Sequence, residues 1–135
     1  MATLLAHIAI IVKDYDEAIA YYTKVLGFEL IEDTALSDTK RWVILGNKMQ
    51  NSCQILLAKA ASEIQEKAIG NQSGGRVFLF LHTNEFDAFL ERLVQNQVKI
   101  VNGPRLEAYG RVLVFEDLYG NHWDLIEPIK SLNEH

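Results

Sequence analysis

An imidazole and a guanidinium open the two halves of this 135-residue chain. His7 leads the β-branched apolar run His-Ile-Ala-Ile-Ile-Val, and Arg76 leads the run Val-Phe-Leu-Phe-Leu. A neutral imidazole is a good ligand for zinc, nickel, iron or manganese. A guanidinium stays protonated, can only donate, and repels a cation. One half therefore begins with metal chemistry and the other with anion chemistry. Trp42, Tyr109, Arg111, Glu116 and Arg41 lie on or beside strand-like segments that could line a cavity. The single cysteine, Cys53, reads as a buried thiol with no base beside it, facing away from its neighbour Gln54. Each of these residues also has a plain structural reading. His7 could be a hydrogen-bonded histidine at a strand start, and Trp42 and Trp123 could be core or cavity wall.

The elements that must hold these residues alternate along the chain. Residues 7–12 read as a buried strand. Asp14, with Glu17 three residues on, can cap a helix over Tyr15–Leu26 whose apolar stripe is Ala18, Tyr22, Val25 and Leu26. Gly27 stands where a left-handed stop belongs. Phe28–Glu32, Arg41–Leu45 and Gln54–Leu57 read as strands. Residues 60–75 read as a linker with a short helix near Ser62–Ile69. The order then repeats: a strand at Val77–Leu81, Asn84 capping a helix with Phe86, Leu90, Leu93 and Val94 on its face, and strands at Val98–Val101, Arg111–Glu116 and His122–Glu127. Asp117-Leu-Tyr-Gly-Asn121 is the last turn, with Gly120 and Asn121 able to take positive φ. Pro104 and Pro128 fall at strand ends or loops. The pattern is βαβββ, written twice, an α+β arrangement with module 1 at about 5–60, a linker at 61–75 and module 2 at about 76–128 of one domain, 1–135.

Composition narrows the function classes. With 49% hydrophobic and 23% charged residues the chain can bury a core. A formal charge of −5 with scattered Lys and Arg argues against nucleic acid or an anionic membrane as partner. One cysteine excludes an intrachain disulfide and fits a reducing compartment. The apolar start lacks a basic lead-in and is too short to span a bilayer, so the expected location is the cytoplasm. The tail, Lys130–His135, reads as surface.

Three segments carry a resemblance: Ala18-Ile-Ala-Tyr-Tyr-Thr-Lys-Val-Leu-Gly-Phe28, Asp117-Leu-Tyr-Gly-Asn121 and Trp123-Asp-Leu-Ile-Glu-Pro128. Together with the repeat they resemble the vicinal oxygen chelate superfamily, which holds glyoxalase I, bleomycin-resistance proteins and extradiol dioxygenases. The resemblance implies two βαβββ modules forming curved mixed sheets with helices outside. It also implies metal-ligand positions at His7, Gln54, Arg76 and Asp124, of which His7, Gln54 and Asp124 could bind a metal. Arg76 breaks that set. His82 lies six residues along the same strand, about 20 Å off, and cannot replace it; His122, about 6.6 Å from Asp124 on the same face, is the local substitute. Glu127, three residues from Asp124, points the other way. Arg76 with Asp124 is most simply an ion pair, and Arg76→His should raise divalent-metal affinity.

Two functions remain. The favoured reading is a metal-free or weakly metallated protein that binds or isomerises a small molecule in a concave site. Arg76 and Arg111 would contact an anion there, and Trp42, Tyr109 and Trp123 would supply apolar surface. The alternative is a glyoxalase-type lyase or related dioxygenase. In it a weakly bound zinc, nickel, iron or manganese sits on His7, Gln54 and Asp124, and Asp124 or Glu116 shuttles a proton. The resemblance also implies a homodimer, in which either two chains or the two modules of one chain complete the site.

Overall fold

The computed structural model describes residues 2–49 and 51–129. The tail at 130–135 lies outside them. The chain packs as two compact units, residues 1–69 and 70–135, and the division falls inside the expected linker. The first holds β1 (His7–Val12), α1 (Tyr15–Lys24), β2 (Glu29–Ala35), β3 (Arg41–Gly46), β4 (Gln54–Lys59) and α2 (Glu63–Ala68). The second holds β5 (Val77–His82), α3 (Phe86–Gln95), β6 (Lys99–Glu107), β7 (Gly110–Glu116) and β8 (His122–Pro128). Each unit has one mixed four-stranded sheet, ordered β1-β4-β3-β2 and β5-β8-β7-β6, with the outer β1–β4 and β5–β8 pairs parallel. Among the described residues no helix is long and apolar enough to cross a membrane.

In the first unit one sheet face is buried by α1. Ile10, Val12, Val43, Leu45 and Leu57 lie on that face with Ala18 and Tyr22 of the helix, all at most 1% exposed. Burying each large side chain contributes about 1.5–3 kcal/mol. Asp14 caps α1 as expected, its Oδ2 accepting from the Glu17 amide at 2.8 Å. The helix ends at Lys24, Gly27 takes φ +83°, and the Phe28 amide closes back onto the Tyr22 carbonyl at 3.0 Å. Ser62 caps α2 by accepting from the Gln65 amide, while Gln65 Oε1 accepts from the Ala61 amide.

The second unit repeats the plan with different local chemistry. Asn84 does not cap α3. The N-cap is Glu85, without a side-chain cap bond, and its own amide donates to Thr83 Oγ1 at 2.9 Å. Phe86 and Leu93 are buried as expected, but Val94 is 61% exposed because α3 turns it outward. Gln97 takes the left-handed stop that Gly27 fills in the first unit, at φ +58°. The Val98 amide then bonds the Leu93 carbonyl, so the hydrogen bonds alone set the stop. β6 is longer than the alternation at 98–101 indicated. It runs through Gly103-Pro104 to Glu107 with two register shifts. Pro104 thus lies inside a strand. It is tolerated because β6 is the sheet's edge, where a missing N–H breaks no ladder. Gly120 takes positive φ in the last turn; Asn121 does not.

The repeat extends to a brace on the helix side of each sheet. Arg41 bonds Asp16 at 2.9 Å and lies 5.1 Å over the Tyr15 ring. Arg111 bonds Asp87 at 2.8 Å and lies 4.3 Å over the Phe86 ring. In both units the strand's arginine clamps the first two residues of the helix.

Candidate functional site

The chemistry gathers on the sheet face opposite the helix in each unit. In the first, His7 and Gln54 are register partners on adjacent parallel strands, so the imidazole and the amide project side by side. The Trp42 ring meets His7 edge-on, with centroids 5.9 Å apart and planes at 85°. Gly46 leaves Gln54 its place, since a Cβ there would stand 3.0 Å from Gln54 Cγ. Cys53, just outside β4, is exposed rather than buried: its segment precedes the strand and has no sheet to cover it.

In the second unit Asp124 stands between Phe80 of β5 and Val114 of β7. His122 and Glu116 lie on the same face and bond each other at 3.2 Å. The Asp124 Oδ1 atom is buried with no hydrogen-bond partner. Loss of solvent raises its pKa above the ordinary 3.8, and the positive charge of Arg105 partly offsets the rise. Arg105 had no place in the sequence-based set. Its Nε bonds Glu107 at 2.7 Å and its Nη1 bonds Asn102 at 2.8 Å. Glu107 first, then Tyr109, holds its guanidinium more firmly protonated than usual.

Three expectations are corrected by this geometry. Arg76 does not face Asp124. It is exposed ahead of β5, with its carbonyl accepting from the Ser73 hydroxyl. The helix caps show why: Asp14 follows His7 by seven residues, and Glu85 follows Phe78 by seven, so Phe78 holds the place of His7. Arg111 lies on the helix side, held by Asp87 and, at 3.3 Å, by Glu127, and its charge is already answered. Trp123 is 1% exposed in the core, stacked on Phe115, with Nε1 donating to Asp117 at 2.8 Å. Glu127 does face away from Asp124, as the alternation required. Tyr109 is 53% exposed, in the turn beside Arg105.

The residues present do not fit a resident divalent metal within either unit. His7 has an amide beside it, a weak donor, and the His122 ring already bonds Glu116. The full charge nearest in effect to Asp124 is a guanidinium, which opposes a cation. Among the described residues no three His, Cys, Asp or Glu side chains form a metal-holding group.

The repeat, the two mixed sheets and the turn at 117–121 define a class of protein. The chain belongs to the Glyoxalase/Bleomycin resistance protein/Dioxygenase superfamily, which it matches over residues 4–125. An uncharacterised protein of Shewanella frigidimarina is 48% identical over 128 residues, covering 94% of this chain and 95% of the relative. Among solved structures, UcmS2 is similar at 31% identity and TM-score 0.79, covering 94% of this chain and 99% of that one. TnmS3, an antibiotic binding protein from Streptomyces sp. CB03234, is similar at 25% identity and TM-score 0.75, covering 96% and 99%.

The Asp124 environment has a consequence for stability. A carboxyl whose folded pKa is raised destabilises the fold while ionised, and that cost is relieved as pH falls through the raised value toward 3.8. Asp124→Asn is therefore expected to stabilise the protein at neutral pH, with a gain that shrinks on acidification. Urea titrations of both proteins across the acidic range measure this. A gain independent of pH would rule out the buried charge as its source.

Proposed function

We propose that this protein binds a small organic molecule without a metal, on the open face of the second sheet. The observation that carries the reading is the buried, unpartnered Oδ1 of Asp124, set beside Phe80 and Val114 within the field of Arg105. A buried acceptor without a partner is costly, and a ligand N–H or O–H would satisfy it. Phe80, 61% exposed on the same face, offers apolar contact area. The resemblance to an antibiotic binding protein supports a binding role over turnover. Location in the cytoplasm and assembly as a homodimer are part of the same proposal.

A second reading, metal-dependent lyase or dioxygenase chemistry, draws on the His7–Gln54 pair alone. One experiment separates the two. Protein purified without metal affinity steps is analysed for bound metal, then screened with aromatic antibiotics and small carboxylic acids by thermal shift in EDTA. The expected result is well under one metal per chain, and a ligand-induced shift that survives EDTA and shrinks in Asp124→Asn. Stoichiometric zinc, nickel, iron or manganese, or shifts that need added metal, would favour the second reading.

A further inference from the structure

The first sheet is split between its two central strands. β3 and β4 pair only at Val43–Leu57, Ile44–Leu56 and Leu45–Ile55. Beyond Val43 and Leu57 each strand stays with its outer neighbour: Trp42 and Arg41 with β2, Ala58 and Lys59 with β1. The Arg41 amide leaves the ladder and donates to the Tyr15 hydroxyl at 3.2 Å. The second sheet has no such split, since β7 and β8 pair without a break from Gly110–Pro128 to Glu116–His122. The first copy of the repeat thus departs from the second where its central strands part.

A cleft of about 520 Å³ opens there, within the range of small-molecule sites. Trp42, Leu56, Leu57 and Ala58 give it an apolar lining. The edge-on contact with His7 fixes the indole plane. Its charged and amide residues divide cleanly, beside Tyr15 and Thr39, which also line it. Arg41 is taken up by Asp16 and Asp33, and the Gln65 carbonyl oxygen by the Ala61 amide. Lys40 and Lys59, two exposed residues that also line the cleft, have no ion-pair partner among the described residues. With Gln65 Nε2 they are donors only. Three cations against the Asp16 and Asp33 carboxylates leave the cleft net positive on a chain of net charge −5.

We propose that this cleft is a second ligand site, for a planar aromatic carboxylate whose ring packs on Trp42 and whose anion lies between Lys40 and Lys59. It is independent of the reading of the Asp124 face, which lies in the other unit.

Naphthoate and its neutral counterpart naphthylmethanol, titrated into the full chain, test it by two-dimensional amide NMR and tryptophan fluorescence. Naphthoate is expected to perturb the amides of residues 40–44 and 56–61, and to bind more weakly at high salt. The double substitution Lys40→Gln with Lys59→Gln should weaken naphthoate by about tenfold, the sum of two solvent-screened pairs, and leave naphthylmethanol unchanged. Trp42→Leu should weaken both. Absence of any perturbation at millimolar naphthoate overturns the proposal. So do equal affinities for the two compounds, indifference to the lysine substitutions, or perturbations confined to β7 and β8.

Discussion

Asp117→Ala is expected to remove roughly 3–5 kcal/mol of stability, read as a lowered urea midpoint at constant slope. The Asp117 side chain is 5% exposed and collects the whole turn. Its Oδ1 accepts from the amides of Tyr119, Gly120 and Asn121 at 3.0–3.1 Å, and its Oδ2 from Asn121 Nδ2 at 3.2 Å and Trp123 Nε1 at 2.8 Å. Alanine would leave the buried Trp123 and Asn121 donors without an acceptor, each at a cost of about 1–3 kcal/mol. Asn121 Oδ1 is already buried without a partner, so the turn has little reserve. Asp117→Asn should fall between, because one amide cannot accept on both sides. A loss under about 1 kcal/mol for alanine would mean that water replaces the carboxylate and that the turn does not set the start of β8.

Gly70→Ala should be nearly as damaging, for a steric reason. Gly70 has φ +75°, and a Cβ built on it would stand 1.7 Å from the Tyr119 carbonyl oxygen. That neighbour is backbone and belongs to the Asp117 turn, so it cannot swing aside. Left-handed strain of about 1–2 kcal/mol adds to an overpacking cost of about 1–3 kcal/mol, for an expected loss of about 3 kcal/mol or more. Gly74→Ala is the control, since Gly74 has φ +67° but nothing within 4 Å of the added carbon. It should lose only the strain, about 1–2 kcal/mol. Equal losses at both positions would show that the contact with Tyr119 relaxes freely.

The fold was legible wherever a local rule and the tertiary structure agree. Strand alternation at 7–12, the Asp14 cap and Gly27 are such places, because each depends only on near neighbours. The Asp117–Asn121 turn was recognised from its residues, yet its partner Trp123 was assigned to the ligand. An indole six residues from an acid in sequence does not reveal that the acid folds back onto its N–H. Arg76 takes its place in the sequence from the apolar run it leads, whereas the register is set by the distance to the helix cap, which points to Phe78. Arg105 was missed because Pro104 suggested a loop. The alternation Arg105-Leu106-Glu107 was the available signal: two charges on one face and an 83% exposed leucine on the other mark an edge strand. The split between β3 and β4 had no signal in composition, since both strands read as ordinary apolar runs.

The two halves carry the same clamp of arginine, aspartate and aromatic ring, yet only one of them is open at its centre. A duplication frees its copies from having to do the same work. The second half keeps an intact ladder where the first half interrupts its own. Division of labour between inherited copies would leave substitutions such as those at Lys40 and Lys59 open to selection for ligand choice, while the matching Gly110–Val112 and Ile126–Pro128 stretches keep their ladder.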